Sequence, residues 1–493
     1  MMLLNFTISH LWHQLQSLYE GFIFYYAAAI MSLYVILAIF SALAIRQFKR
    51  RNSFVDYKSI LNSPHAPGIS VIAPAYNEGA TIIDNVHSLL TLNYAKFEVI
   101  IVNDGSTDDT LGKLIREFEL VPVKFDYQER IVTRPVKRVF RSTNPAYSKL
   151  IVVDKENGKS KADASNAGIN VASYPLFLCT DVDCIIEKNT LLHMVKPFLE
   201  EKIRVIAVGA TIRIANSCEV DQGVLLRVIP PKKLLPRFQE LEYIRSFLLG
   251  RMAWSQMNGL IIVSGGLGLF DKEIVINAGG YDHTSFAKDM EMITRMRRYM
   301  EENKLPYRVR YIPNSQCWTE GPATLKVFSK QRTRWARGLI QCLHVHRRVI
   351  GNPKYGIMGL LTYPYMVLFE WMAPFLELTG LIFYLVSGLS GTINWTHALI
   401  LLLYVYSFSV AITTIAVLWD QLTFKYYDSV WQVMGLCLMA IVEPILYHPL
   451  NVFFSIRGNY FYFTGKKLAW GNMSRQGFAR RQAAPVQPSE ASS

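Results

Sequence analysis

Phe22 to Ile45 is a 24-residue run without one charged side chain. At about 1.5 Å of rise per residue, a helix of that length crosses a hydrocarbon core roughly 30 Å thick. A second charge-free run spans Ala398 to Trp419. Backbone polar groups in lipid must be satisfied inside the segment, so these runs are read as membrane helices. Arg46, Lys49, Arg50 and Arg51 follow the first run at once. Positive side chains beside a span favour the cytoplasm, which places the N-terminus outside and residue 50 onward inside. A cleaved signal peptide is the rival reading. Residues 1 to 20 hold no Lys or Arg and no small-residue cleavage pattern follows, so the run is expected to be a retained anchor.

Two further apolar stretches lie near 357–388 and 431–456. The first contains Glu370 and Glu377, and the last contains Glu443 before Pro444. Carboxylates at membrane depth need partners or a water-filled cavity, and helix packing accounts for them as well as a pathway does. One N-terminal and three C-terminal crossings would leave the tail outside. Yet Arg457, Lys466, Lys467, Arg475, Arg480 and Arg481 mark it as cytoplasmic. The conflict is resolved if the stretch around Glu443 and Pro444 is re-entrant or broken, or if 357–388 folds as a hairpin. The expected organisation is therefore a membrane segment at 1–50, a cytoplasmic domain at 51–345, membrane segments at 346–460 and a basic tail at 461–493. That tail is Pro, Ala and Ser rich from Gln482 and reads as disordered.

The net charge of +14 over 493 residues is explained largely by cations flanking membrane spans. No nucleic-acid module is visible, and no nucleic-acid partner is expected. The six cysteines include no CxxC pair, which argues against disulfides and zinc.

Between 69 and 345 the apolar runs are short and β-branched and alternate with helical patterns. Ile69–Ala73, Glu98–Val102, Leu150–Val153 and Leu176–Cys179 read as strands of a largely parallel sheet. Ligands in such α/β folds bind at the carboxyl ends of the strands. After the first strand comes Pro74-Ala75-Tyr76-Asn77-Glu78, a turn into a helix near Ala80, suited to an anionic or nucleotide ligand, though a plain turn looks similar. After the second, Asp104 could accept hydrogen bonds from a base or ribose, while Ser106 or Thr107 fits a helix cap. After the fourth, Asp181 and Asp183 offer paired carboxylates that a hard Mg²⁺ or Mn²⁺ can use, with diphosphate completing the shell. A solvated turn is the alternative.

Other segments are weaker alone. Lys159 and Lys161 enter a helix as a candidate diphosphate clamp. Ser264 to Gly268, with Gly265 and Gly266, reads as a flexible turn that lets a substrate approach the backbone, or as a Gly-rich hairpin. Lys288-Asp289 and Glu291 open a helix, and a carboxylate here could act as general base toward a hydroxyl, whereas Glu291 and Arg295 are also spaced for a helix salt bridge. Trp254, in the amphipathic stretch Phe238 to Met257, suits the membrane interface or simple packing. Last, Gln331-Arg332-Thr333-Arg334-Trp335 sets two guanidinium forks beside an indole, a pattern for gripping phosphate and stacking a sugar, or the basic end of an amphipathic helix.

Taken together these segments resemble the membrane-embedded, inverting family 2 glycosyltransferases, which include cellulose, hyaluronan and poly-N-acetylglucosamine synthases. The likeness runs from about residue 22 to 480. It rests on PAYNEG at 74–79, NDGSTDDT at 103–110, KADASNAGIN at 161–170, the DVD triplet, SGGLGLF at 264–270, KDMEM at 288–292, CWTE at 317–320 and QRTRW at 331–335. WGNMSRQGF at 470–478 resembles the ending of the bacterial exopolysaccharide branch.

The resemblance implies a GT-A catalytic domain, facing the cytoplasm at the inner membrane. It implies a UDP-sugar donor, N-acetylglucosamine or glucose foremost, and Mg²⁺ or Mn²⁺ on Asp181 and Asp183. Pro74, Tyr76, Glu78, Asp104, Lys161, Asp181, Arg332 and Arg334 are carried over as donor-binding, Gly265, Gly266, Gln331 and Trp335 as acceptor-binding, and Asp289 as the base. A growing glycan or a lipid-linked acceptor, the bilayer and accessory export proteins are the implied partners. Polymer synthesis, single addition to a lipid carrier and an idle scaffold are three outcomes compatible with these residues. One departure stands out. The family places Glu before the base where this chain has Lys288, and an adjacent cation is expected to lower the Asp289 pKa.

Overall fold

The computed structural model describes residues 2–52, 57–182, 184–221, 223–466 and 479–480. Asp183, the WGNMSRQGF segment and the tail from 481 lie outside them, as do the side chains of residues 2–13.

A ten-stranded mixed sheet organises the catalytic region. Its strands are β1 (Ile69–Ala75), β2 (Phe97–Asn103), β3 (Leu120–Val123), β4 (Val136–Ser142), β5 (Leu150–Lys155), β6 (Leu176–Thr180), β7 (Ile185–Ile186), β8 (Val205–Ile214), β9 (Leu267–Asp271) and β10 (Arg308–Thr319). Their order is β3-β4-β5-β2-β1-β6-β9-β8-β10-β7. The four expected strands form the centre, with β5, β2, β1 and β6 mutually parallel. They are buried almost throughout, which is why each reads as a continuous apolar run. Strand β9 inserts antiparallel between β6 and β8, so the expected flexible turn is confined to residues before Leu267. The helices that bear on the site are α1 (Met2–Asn52), α2 (Lys161–Val171), α3 (Leu234–Ile244), α4 (Lys288–Glu302) and α5 (Leu325–Val345). This is an α/β fold of GT-A type, with apolar helices on both its N- and C-terminal sides.

Four helical segments are long and apolar enough to cross a membrane: Gln14–Asn52, Met358–Leu389, Trp395–Phe424 and Val430–Phe463. The last two are designated α6 and α7. The first three stand side by side. Tyr19, Tyr26 and Gln16 of α1 bond to Thr379, Leu368 and Thr392, so α1 and Met358–Leu389 run antiparallel. Glu20 and Phe24 of α1 meet His397 and Tyr404 at the start of α6. At the other end, Ser41 of α1 bonds to Leu248 and Asp420 of α6 to Arg213, both in the sheet domain.

Helix α7 behaves differently. The loop before it is tied to the sheet domain through Tyr427 on Glu240 at 2.7 Å and Ser315 N on Tyr426 at 2.7 Å. Its middle packs on α5, with the Phe328 ring 5.2 Å from Tyr447 and 5.8 Å from Phe454. Near its end, a Cβ on Gly458 would come 2.5 Å from the Thr333 carbonyl, so only glycine permits this crossing. Arg337 then bonds to the Lys466 carbonyl at 2.5 Å. The helix therefore lies along the catalytic domain over its whole length.

One of the expected alternatives fails here. No break occurs at Glu443 and Pro444, because α7 continues through both Pro444 and Pro449. Glu443 is held by a two-pronged pair with Arg245 at 2.8 and 2.9 Å, which removes the need for a water-filled break. The irregular backbone instead falls in Met358–Trp371, where widened π-type turns surround Pro364. Of the two readings open for Trp254, its surroundings match packing: it is buried, its ring 5.1 Å from Tyr365.

The joint between sheet and helices is a buried cation. Arg213 on β8 is 2% exposed and donates to Glu240 on α3 at 2.7 Å, to Ser315 on β10 at 2.8 Å and to Asp420 on α6. Removing one member of such a set strands the rest without solvent, a loss of about 3–5 kcal/mol. Arg213→Met is accordingly expected to lower the thermal unfolding midpoint in detergent sharply. An unchanged midpoint would show that the joint contributes nothing.

Candidate functional site

The carboxyl ends of β1, β2 and β6 open into a large cavity of about 1880 Å³. Asn77 holds its first wall together. Its φ of 56° turns the chain after β1, and its side-chain oxygen accepts from Thr107 N at 2.8 Å, fastening the loop after β1 to the loop after β2. Pro74, Tyr76, Glu78 and Asp104 line this end.

Asp104 is fixed from behind by Lys155, whose side chain is 0% exposed. The ammonium donates to Asp104 at 2.8 Å, to the Glu156 carbonyl at 2.6 Å and to Asp163 at 2.5 Å. Gly158 N adds a further bond to Asp104 at 2.9 Å. Sequence reasoning missed Lys155, although it closes β5 and a strand's carboxyl end is where such a residue should be sought.

The centre of the cavity is a cluster of opposed charges. Lys161 opens α2, whose first turn is capped by Ser160, and pairs with Asp181 at the exit of β6. Burial would depress the Lys161 pKa, but Asp181 and then Asp289 hold it above the ordinary lysine range. Asp289, in the first turn of α4, abuts the loop before β9: a Cβ at Gly265 would lie 2.8 Å from its Oδ2. Gly266 and Arg334 complete the lining.

Lys288 acts on Asp289 in the expected direction but does not decide its pKa. Burial raises the Asp289 pKa and outweighs the lowering by Lys288 and Lys161, so the net shift is upward. The consequence falls on Lys288 itself. It is 8% exposed, and burial together with the nearby Lys161 charge lowers its pKa to about 8. Glu291 and Arg295 form the helix salt bridge their spacing suggests, at 2.9 Å.

The pentad divides on α5. Gln331, Arg334 and Trp335 face the cavity, and Gln331 Oε1 is buried with no hydrogen-bond partner among the described residues. Arg332 also lines the cavity, but its terminal nitrogens are engaged by Glu242, each at 2.6 Å. It therefore does not stand free for phosphate as its sequence position suggested. Beyond the pentad the cavity continues between helices, past Trp371, Glu370, Asn451, Ser455 and Asn459.

Asp181 gives a divalent cation one hard oxygen donor at the cavity wall, and Asp183 lies outside the described residues. Among the described residues no group of three or more His, Cys, Asp or Glu could hold a metal. The donors thus fit a cation that takes most of its ligands from a bound diphosphate and water.

Residues 70–247 match the family described as glycosyl transferase family 2, and residues 237–420 match glycosyl transferase family group 2. The poly-beta-1,6-N-acetyl-D-glucosamine synthase of Staphylococcus aureus (strain COL) is 28% identical over 286 residues, covering 58% of this chain and 57% of the relative. That of Staphylococcus epidermidis is 28% identical over 271 residues, covering 55% and 54%. The chain thus matches a little over half the length of these relatives. A mannosyltransferase from Pyrobaculum calidifontis, solved with GDP-Man and Mn²⁺, aligns at a TM-score of 0.49 and 18% identity, covering 89% of this chain and 99% of that one. Such a score carries no functional argument. Between them, the two glycosyltransferase descriptions span residues 70–420.

Proposed function

We propose that this protein is a processive, inverting β-glycosyltransferase of the bacterial inner membrane, which builds an extracellular polysaccharide from a UDP-sugar, UDP-N-acetylglucosamine foremost. The observation that carries the reading is the cavity in which Asp104, Lys161, Asp181, Asp289, Arg334 and Trp335 converge and which continues between apolar helices. The matched relatives are polymer synthases of N-acetylglucosamine, which favours that sugar.

In this reading the nucleotide lies against Pro74, Tyr76, Glu78 and Asp104, with Lys155 keeping Asp104 in place. Asp289 takes the proton from an acceptor hydroxyl stacked near Trp335, and that oxygen attacks the anomeric carbon in line. The raised Asp289 pKa gives the base a stronger hold on that proton. UDP departs toward Lys161 and Arg334, whose cations offset its growing charge. A divalent cation, held by Asp181 with Asp183, would supply further neutralisation of the diphosphate when bound.

The membrane arrangement belongs to the same proposal. Helix α1, the segment Met358–Leu389 and α6 cross the bilayer, and α7 lies at the cytoplasmic interface. Three crossings return the basic tail to the catalytic side, in accord with the placement of its positive charges. An impermeant maleimide is then expected to label Thr392→Cys in spheroplasts and Lys466→Cys only after lysis. Labelling of both from outside would overturn this topology.

Purified enzyme in nanodiscs, offered UDP-N-acetylglucosamine, UDP-glucose and UDP-galactose in turn, is expected to release UDP fastest from the first and to form polymer. Asp289→Asn should reduce that rate by about 10²–10⁴-fold. Short glycolipid products would defeat the processive part of the reading, and equal near-zero rates in both proteins would defeat the enzymatic part. Gly265→Ala is a finer probe, because its methyl group would meet only the tip of Asp289. It should lower kcat by about 10–100-fold while leaving the unfolding midpoint in place. Unchanged turnover would argue that Asp289 is not the base.

A further inference from the structure

Glu242 on α3 is a carboxylate that the proposed reaction does not use, yet it lines the same cavity. Its side chain is 23% exposed, while Phe238, Leu241 and Ile244 are buried on its own helix. A carboxylate drawn even partly out of water needs a counter-charge and hydrogen bonds. It is paired completely. Arg332 Nη1 and Nη2 donate to its two oxygens at 2.6 Å each, and the Tyr447 hydroxyl of α7 donates to Oε2 at 2.5 Å. Arg332 Nη2 also donates to the Tyr447 oxygen at 2.8 Å, closing a three-membered ring of charge-assisted bonds. Arg332 holds the Glu242 pKa down against the upward effect of burial.

What this ring holds is a flat guanidinium on the wall of α5. Phe328, Arg332 and Trp335 lie four and three residues apart, so they share one helix face. The Arg332 carbon sits 4.9 Å from the Phe328 ring centroid and 4.5 Å from that of Trp335. A cation over the face of an indole restrains the ring against it. Trp335 nevertheless remains 38% exposed at the cavity wall, where its surface can meet a ligand.

We propose that Glu242 is a positioning residue for the acceptor: it fixes Arg332, and through it the indole platform of Trp335, against which the acceptor sugar stacks. The proposal rests on the glycosyltransferase reading and assigns the pentad's two arginines to different tasks. Arg334 faces the reacting centre, and Arg332 backs the platform. Tyr447 makes α7 a third party, so one residue from each of three helices restrains a single ring.

The test uses full-length protein in nanodiscs and reads UDP release. UDP-N-acetylglucosamine and a β-1,6-linked N-acetylglucosamine trimer are varied in turn, each at saturation of the other. For Glu242→Gln the trimer KM should rise about tenfold, with the donor KM within about twofold and kcat within about threefold of wild type. Tyr447→Phe, which removes one hydroxyl, should raise the trimer KM by about threefold, and Glu242→Asp should recover part of the loss. A merely structural role would lower the amount of active protein and move neither KM. Donor and acceptor KM rising together, or neither rising in folded variants, would overturn the assignment. If Glu242→Gln does not fold, Tyr447→Phe decides alone. A wild type that releases UDP from no sugar nucleotide sinks the glycosyltransferase reading, and this proposal with it. An active wild type with an unchanged acceptor KM in the variants sinks the proposal only.

Discussion

Buried guanidinium groups couple the sheet to the apolar helices, and the placement of the site depends on them. Arg213, Arg245 and Arg332 each bind carboxylates that come from other elements: Glu240 and Asp420, Glu443, and Glu242. Apolar contact alone would let a helix slide or turn against the domain at little cost, since dispersion is not directional. A buried two-pronged pair allows one arrangement only. Glu240 and Glu242 both belong to α3, with Arg245 just beyond it, so this short stretch is where the domain and the helices are registered.

The centre of the cavity is governed by a balance of opposite charges confined at short range. Lys161, Lys288 and Arg334 face Asp181 and Asp289, and each pKa there is a contest between burial and its neighbours. Burial wins for Asp289 and Lys288, while Asp181 wins for Lys161. The replacement at position 288 therefore acts on both groups: Lys288 lowers the Asp289 pKa, though burial raises it by more, and its own is pushed down to about 8.

Much of this was legible in the sequence where a pattern is local. The central strands could be found because strands covered on both faces must be apolar at every position. Asp104, Asp181 and Asp289 could be found because each follows or opens an element in a short motif. Strand β10 was missed although Arg308-Val309-Arg310-Tyr311 alternate polar and apolar, because Pro313 and Asn314 interrupt the pattern where its register with β8 also shifts. Glu242 and Tyr447 could not have been found by spacing, being 205 residues apart and joined only by folding. Helix α7 shows the limit of composition. Its apolarity is that of a spanning helix, yet it packs on α5, meets α6 through Tyr406 on the Ile441 carbonyl and Met358–Leu389 through His448 on Glu377, and leaves Val430, Trp431, Met434, Leu438, Ile441 and Ile445 exposed.

The length of the cavity has a consequence for traffic. Its two ends differ in chemistry: lysines, aspartates and loop amides at one, and Trp371, Asn451, Ser455 and Asn459 among apolar helices at the other. A nucleotide bearing two phosphates would lose hydration by straying into the second end, where the lining groups Arg245 and His448 are already paired with Glu443 and Glu377. A hydroxyl-rich chain loses far less, since neutral amides and an indole can replace water for each sugar. In the proposed reaction, this difference would hold the nucleotide at the polar end and leave the helix-lined end to the sugar chain.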